Sequence, residues 1–123
     1  MYSREEMMGR RWVIVARVST VSQKDNTSTN KQLSNINEER EKADGKLVKT
    51  YDLAESAASM DRDSLEEIVE LAEADKFDIL GIWQLDRLTR ASPWETIIYL
   101  NRLREAEVIL YSNRHGYFEW DDL

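Results

Sequence analysis

The sequence predicts an α/β fold with a mostly parallel central sheet and helices on both faces. Two short apolar runs, residues 13–15 and 79–82, are typical of strands that are buried on both faces. Between such runs lie longer segments in which apolar residues recur at helical spacing. Alternating strands and helices indicate parallel strands joined by right-handed helical crossovers.

Each element has its own local signal. The predicted strands combine apolar runs or alternation with β-branched and aromatic residues; they are residues 11–18, 46–52, 77–85 and 108–111. A helix is expected over residues 30–43, with Gly45 as its stop. Residues 53–63, rich in small side chains, are predicted as a loop.

Two further helices carry capping signals. Ser64 and Glu67 form a capping box, which predicts that a helix starts at Ser64. Ser92 as N-cap and Pro93 at the first helical position predict another helix that runs to about residue 106.

Composition limits the classes of protein to consider. A chain of 123 residues suits one domain, which we place at residues 11–123 after a flexible extension at residues 1–10. There is no cysteine, which excludes disulfides and thiolate metal sites. No apolar stretch approaches the ~20 residues of a membrane-spanning helix, so no membrane partner is expected.

The net charge of −7 argues against a general binder of nucleic acids, because such affinity comes from basic residues that neutralise phosphates. Arginines, however, fall inside the polar motifs of the chain. Ser19 follows the first strand, two residues after Arg17, and Asp86, Arg87 and Arg90 follow a later apolar run. Open α/β sheets bind ligands at the carboxyl ends of their strands, so these residues suggest a nucleophile that faces a phosphate.

The motifs occur in an order that resembles a known family. The residues that carry the resemblance are Arg17, Ser19 and Gln23, then Gln32, then Ser56 and Arg62 within residues 52–62, then Asp86, Arg87 and Arg90. They resemble the catalytic domain of the serine recombinases of the resolvase/invertase group, over residues 12–111. The resemblance implies a three-layer resolvase-like fold with four or five strands.

The resemblance also implies a mechanism. Ser19 attacks a DNA phosphodiester, forms a 5′-phosphoserine link and releases a 3′-hydroxyl, which later rejoins the exchanged strand. Arg17, Arg62, Arg87 and Arg90 match the phosphate-binding arginines of the family, and guanidinium groups suit the oxygens of a phosphoryl transition state. No metal ion and no cofactor are implied.

The remaining motif residues have supporting roles. Asp86 is the candidate general acid for the leaving oxygen, or else it orients Arg17 or Arg90. Gln32 and Ser56 match polar positions that hydrogen-bond the phosphate or hold an arginine, and Gln23 belongs to the same signature.

The resemblance implies double-stranded DNA as the partner, in the cytoplasm of a prokaryote. It also implies dimers and synaptic tetramers of the full-length protein. Family members continue into a dimerisation helix and a DNA-binding domain, and we expect both to be absent from these 123 residues. The isolated chain is then expected to be inactive alone.

Two other functions stay open. The acidic charge is compatible with a non-catalytic regulatory or assembly module of the same fold, and a similar sheet occurs in metal-dependent nucleases and phosphatases. A Ser-His-Asp triad would depend on His115, the single histidine, in a predicted terminal loop.

Several residues also have ordinary structural interpretations. Arg62 could pair with Asp61, and Asp86 with Arg90, as surface ion pairs. Aromatic residues are expected in packing roles: Trp83, Trp94 and Tyr99. Five acids are expected to form a solvated helix face: Glu66, Glu67, Glu70, Glu73 and Asp75. Arg102, Arg104 and Arg114 are expected to be solvated.

Overall fold

The computed structural model describes residues 3–17, 29–53, 58–83, 93–113, 115–118 and 120. After a short 3₁₀ helix at Glu5–Met7, these residues form the following elements: β1 (Arg11–Arg17), α1 (Thr29–Lys42), β2 (Lys46–Leu53), α2 (Ala58–Glu73), β3 (Ile79–Ile82), α3 (Pro93–Glu105), β4 (Ile109–Ser112) and β5 (Gly116–Phe118). The predicted alternation of strands and helices is confirmed, with most boundaries within a few residues.

The strands form one sheet in the order β2-β1-β3-β4-β5. β1 to β4 run parallel to their neighbours, and β5 pairs antiparallel with β4. This confirms the predicted mostly parallel α/β sheet.

Successive residues of β1 face opposite sides of the sheet, which creates two cores. Trp12 and Ile14 pack with Ile36 of α1 on one face. Val13 and Val15 pack on the other face, in the core that contains the buried residues of α2 and α3. The molecule therefore has three layers, with α1 on one side of the sheet and α2 and α3 on the other.

Gly45 follows α1 as predicted, but its main role is close packing. The left-handed backbone at this turn belongs to Asp44, which has a φ of 51°. A Cβ atom at Gly45 would overlap the indole of Trp12, which is completely buried. Glycine therefore lets the turn approach the core.

The predicted start of α2 is wrong. Ser64 and Glu67 do not form a capping box, because α2 begins at Ala58 and Ser64 lies inside the helix. A backbone N–H in the interior of a helix is bonded within the helix and needs no cap. Arg62 therefore belongs to a helix and not to the predicted loop.

Strand β5 was not predicted from the sequence. It has three residues and begins at Gly116, which has a φ of 77°. Tyr117 packs into the α1 core and Phe118 into the opposite core. So short a segment has a weak local pattern, and its pairing with β4 makes it a strand.

The segment before β1 packs on the domain in this structure. Met7 is buried in the α1 core. The guanidinium of Arg4 makes two hydrogen bonds with the carboxylate of Glu39, at 2.8 and 2.7 Å. The division into an extension at residues 1–10 and a domain at 11–123 stays a prediction.

Candidate active site

The carboxyl ends of three parallel strands meet at one edge of the sheet. Arg17 is the last residue of β1 and lies in register with Leu53, the last residue of β2. On the other side of β1, Val15 lies in register with Ile82, the last residue of β3. We call this edge the carboxyl edge.

The carboxyl edge includes the point where the chain changes direction across the sheet. From β1 the chain passes through α1 to β2 on one side, and then through α2 to β3 on the other side of β1. α1 and α2 both begin at this edge, on opposite faces of the sheet. Ligand sites of open α/β sheets lie at such switch points.

The predicted site residues are distributed around this edge. Arg17 ends β1, Gln32 is the fourth residue of α1 and Arg62 is the fifth residue of α2. The other predicted residues lie outside the described part of the chain: Ser19, Gln23, Ser56, Asp86, Arg87 and Arg90. They belong to the segments that connect these same elements: Ser19 is two residues beyond β1, and Asp86 is four residues beyond β3.

Gln32 is completely buried in the first turns of α1. A buried side-chain amide is normally hydrogen-bonded, and Gln32 does have an interaction partner. It faces the interior of the protein, away from solvent.

A polar cluster holds the middle of α2 against β2. Glu67 of α2 accepts a hydrogen bond from the hydroxyl of Tyr51 at 2.8 Å and another from Nζ of Lys49. Burial, together with the nearby Glu67 carboxylate, raises the pKa of Tyr51 to about 12. Tyr51 therefore stays protonated and donates to Glu67 at neutral pH. This cluster orients the helix that carries Arg62.

Two residues that the sequence analysis did not single out support the exit from β3. The Ser112 hydroxyl, completely buried at the end of β4, donates to the Trp83 carbonyl at 3.3 Å. The backbone N–H of Asn113 donates to the Ile82 carbonyl at 3.3 Å. Both bonds fix the backbone where the segment with Asp86 begins. The only sequence signal for Ser112 is a hydroxyl that ends an apolar run.

Asp52 is a second residue that the sequence analysis did not assign a role. It lies one residue before the end of β2, in register with Ala16, and its side chain is exposed. It places a carboxylate at the carboxyl edge next to the strand that ends in Arg17. Its signal in the sequence was an acid at the end of an alternating strand.

The packing role predicted for Trp94 is wrong. Its side chain is 77% exposed on α3, and Ile97 and Ile98 beside it are also exposed. Tyr99 does pack against the core, and Trp83 is half-buried. The face of α3 that carries Tyr99 and Leu103 packs against the core. Its outer face carries an exposed apolar stripe of Trp94, Ile97 and Ile98.

The acidic face predicted on α2 is largely exposed, as expected, since Glu67, Glu70, Glu73 and Asp75 are exposed and Glu66 is half-buried; some of its acids also form ion pairs. Arg102 of α3 bonds Glu66 at 3.0 Å and Glu73 at 2.7 Å, which ties the two helices together. Arg102 is thus an ion-paired residue and not a merely solvated one. Asp75, beyond the end of α2, pairs with Arg11 at 3.1 Å.

Other classes of site find limited support among the described residues. In that part of the chain no group of three metal-ligating side chains comes together. The His115 ring lies 5.6 Å from the ring of Phe118, beside β5. No described helix combines the length and apolar character needed to cross a bilayer.

Comparison with known families agrees with this architecture. Residues 12–122 match the family described as the resolvase N-terminal domain. The chain belongs to this family. The match covers most of its length. No curated protein gives a significant match.

Solved structures share the fold. The N-terminal catalytic domain of TP901-1 integrase is 22% identical, with a TM-score of 0.68 over 87% of this chain and 79% of that one. The C-terminal catalytic domain of ISC1926 TnpA, an IS607-like serine recombinase, is 23% identical, with a TM-score of 0.63 over 83% and 68%. A resolvase family site-specific recombinase from Streptococcus pneumoniae is 19% identical, with a TM-score of 0.65 over 87% and 74%.

Proposed function

We propose that this domain breaks and rejoins DNA through a covalent link to Ser19. The observation that carries the proposal is the shared carboxyl edge of a resolvase-family fold, after which the motif residues follow in the sequence. β1, β2 and β3 end there, and the segments with Ser19, Ser56 and Asp86 follow those ends directly.

In the proposed reaction, the Ser19 oxygen attacks the phosphorus of a DNA phosphodiester. A phosphoserine ester forms, the bond to the 3′ oxygen breaks, and that oxygen leaves as a hydroxyl after it takes a proton. Asp86 is the candidate donor of this proton. The reverse attack by a 3′-hydroxyl rejoins the strand, so the bond energy is conserved and no nucleotide cofactor is needed.

Arginines supply the electrostatic stabilisation in this proposal. Arg17 is the last residue of β1, and Arg62 is the fifth residue of α2, which begins at the same edge. Arg87 and Arg90 follow β3 in the sequence. Their guanidinium groups offer paired donors to the negative charge that develops on the phosphoryl oxygens.

The buried Gln32 acts in this proposal as a positioning residue. Its side chain has no exposed surface, which favours a bond to another protein group over a bond to DNA. Gln23 and Ser56 keep their proposed supporting roles near the phosphate.

Self-association belongs to the same proposal. A recombinase must hold broken ends together, and the apolar stripe of Trp94, Ile97 and Ile98 on α3 is a surface that can be buried against another protein segment. We propose DNA as the substrate, a prokaryotic cytoplasm as the setting, and dimers or tetramers of the full-length protein as the active form.

The test is the covalent adduct. The full-length protein that contains this domain is incubated with its recombination site in EDTA, and protein-linked 5′ ends are separated on a denaturing gel. The adduct is expected with the natural protein and absent with Ser19→Ala. Arg87→Ala is expected to slow its formation by at least ~100-fold, as the loss of a preorganised donor does, and Arg87→Lys to restore little of that rate.

Circular dichroism of each variant provides the control for folding. An adduct that persists in Ser19→Ala contradicts the assignment of the nucleophile. Cleavage that requires magnesium and leaves no linked protein supports the metal-dependent nuclease instead. A natural protein that binds its site but never forms an adduct supports the non-catalytic module.

A further inference from the structure

A second cationic site lies at the opposite end of the sheet. Arg10 directly precedes β1, and Arg104 lies in the last turn of α3. Both line a surface cavity of about 330 Å³, which we call the arginine cavity; its lining residues are Arg10, Arg104, Glu107, Val108, Ile109 and Trp120. It lies where β1 and β4 begin, across the sheet from the carboxyl edge.

These two arginines differ from the others whose side chains the structure describes. Arg4, Arg11, Arg40 and Arg102 each have a carboxylate within 4 Å; those carboxylates are Glu39, Asp75 and Asp78, Glu41, and Glu66 and Glu73. Within the described residues, Arg10 and Arg104 form no such ion pair. Nε of Arg10 donates only to the backbone carbonyl of Glu6, at 3.3 Å.

The absence of pairing is notable in so acidic a chain. The chain has 24 acidic and 17 basic residues, so carboxylates are plentiful. Each of the other described arginines has a carboxylate within 4 Å. Two unpaired guanidinium groups that line one cavity leave several donors directed to solvent. Such groups suit the oxygens of a phosphate or carboxylate.

The charge of the cavity favours a singly charged anion. Among the described residues, its ionic lining consists of two arginines and Glu107, so their formal sum is +1. A phosphodiester carries one negative charge, whereas a terminal phosphate carries nearly two at neutral pH. The carboxylate of Glu107 therefore opposes a free phosphate more strongly than a phosphodiester.

Trp120 gives the cavity a rigid wall. Its indole N–H donates to the carbonyl of Val108 at 2.8 Å, which fixes the ring between β4 and the end of α3. On its other side, Trp120 and Arg104 also line a smaller cavity of about 210 Å³ with Ile97 and Leu100. This neighbouring space is largely apolar and adjoins the same guanidinium.

We propose that the arginine cavity binds one phosphodiester of DNA. The choice of DNA as ligand rests on the proposed function, but the contact is separate from the proposed catalytic edge. Arg10 and Arg104 donate to the phosphate oxygens, and the space beyond Trp120 receives the adjoining sugar. The domain then contacts DNA at both ends of its sheet.

The test measures binding of a labelled duplex of random sequence by fluorescence anisotropy at several salt concentrations. The 123-residue chain carries Ser19→Ala throughout, so the result does not depend on covalent chemistry. Arg10→Gln together with Arg104→Gln is expected to weaken binding on the order of tenfold and to reduce the salt slope by about 0.9, the value for one phosphate. Glu107→Gln is expected to tighten binding.

Lys42→Gln is the matched control. It changes the net charge by the same amount as each arginine change, but Lys42 pairs with Glu38 in α1 and lines neither cavity. Circular dichroism verifies the fold of each variant. Equal effects of Lys42→Gln and Arg104→Gln, or no effect of the arginine changes, would overturn the proposal.

A competition experiment distinguishes a site for the phosphodiester of DNA from a site for free phosphate. Unlabelled duplex is expected to displace the probe at far lower phosphate concentration than inorganic phosphate or thymidine monophosphate. Equal displacement by the small phosphates would identify a site for free phosphate and overturn the DNA assignment. The two proposals can fail separately. If the Ser19 adduct forms as expected but the arginine changes do not alter DNA binding, the proposed function is supported and only the contact at the arginine cavity is disproved.

Discussion

At the scale of single residues, close packing around Trp12 determines which side chains the sheet tolerates. Trp12 is completely buried and contacts the rings of Tyr111 and Tyr117 edge-on, with centroids 5.4 and 6.1 Å away. Its indole N–H has no hydrogen-bond partner among the described residues. The ring therefore stabilises the α1 core through packing, and its neighbours must fit around it.

Gly81 in β3 is the neighbour with the least room. A Cβ atom there would lie 2.8 Å from Cγ2 of Ile36 and 3.1 Å from Cζ3 of Trp12. We expect Gly81→Ala to lower the free energy of unfolding by about 1–3 kcal/mol, the usual cost of overpacking. Urea denaturation of the variant measures it.

A double-mutant cycle with Ile36→Ala provides the control for Gly81→Ala. Truncation of Ile36 removes the methyl group closest to the new Cβ, so the two changes are expected to be less destabilising together than the sum of their separate effects. Simple additivity would mean that the contact with Ile36 does not cause the loss.

At the scale of elements, α2 shows how a local signal can mislead. Ser64 and Glu67 have the spacing of a capping box, yet the helix extends back to Ala58. The Glu67 carboxylate instead accepts hydrogen bonds from Lys49 and Tyr51 of β2. The tertiary contact decides the role of this carboxylate, and the earlier start places Arg62 in a helix.

Substitution of Ser64 distinguishes the two positions in the helix. For an interior serine, Ser64→Ala is expected to change the free energy of unfolding by less than about 0.5 kcal/mol, whereas loss of an N-cap costs ~1 kcal/mol. Ser64→Gly is expected to cost roughly 0.5–1 kcal/mol relative to Ser64→Ala. If Ser64→Ala instead lowered the free energy of unfolding strongly and Ser64→Gly lowered it only slightly, Ser64 would be an N-cap. Thermal and urea unfolding of both variants measure the difference.

At the scale of the whole molecule, one cluster joins segments that are far apart in the chain. Glu39 of α1 accepts hydrogen bonds from Arg4, before β1, and from the hydroxyl of Tyr117 in β5, at 2.7 Å. Burial raises the pKa of Glu39, but the bonds from Arg4 and Tyr117 outweigh it, and the net pKa lies below the ordinary value of 4.5. The cluster closes the α1 core between the start and the end of the chain.

This lowered pKa predicts a dependence of stability on pH. Because the folded protein holds Glu39 ionised more strongly than the unfolded chain does, its contribution is complete above pH 4.5 and is lost as the pH falls through the lower folded pKa. Arg4→Gln is expected to destabilise the protein at pH 7, and the difference from the natural chain is expected to shrink towards pH 3. Urea titrations at both pH values measure this.

Lys76→Gln is the control for charge in that experiment. It removes one positive charge from the turn after α2, away from Glu39, and is expected to leave a difference that does not follow the titration of Glu39. If the effect of Arg4→Gln were the same at pH 3 and pH 7, the ion pair would not be its source.

Much of the fold could be predicted from the sequence because its main signals are local. The apolar runs of β1 and β3 and the proline at the start of α3 act over a few residues. The burial of Gln32 and the exposure of Trp94 could not be predicted, because each depends on which element covers that position.

The candidate site divides in the same way. The order of its motifs is a property of the sequence, and it was sufficient to indicate the family that residues 12–122 match. The supporting bond from Ser112 to Trp83 and the cavity shared by Arg10 and Arg104 arise only when β1, β3, β4 and α3 are packed together.

The sequence by itself determined the succession of strands and helices, the family and the residues proposed for chemistry, because periodicity and motif order are written along the chain. Only the tertiary structure decided that β1 lies between β2 and β3, that α1 and α2 begin on opposite faces of one edge, and that two arginines share a cavity at the other edge. The physical reason is that strand pairing, burial and ion pairing join residues distant in the sequence. Their free energies depend on the whole packed arrangement and not on any local pattern.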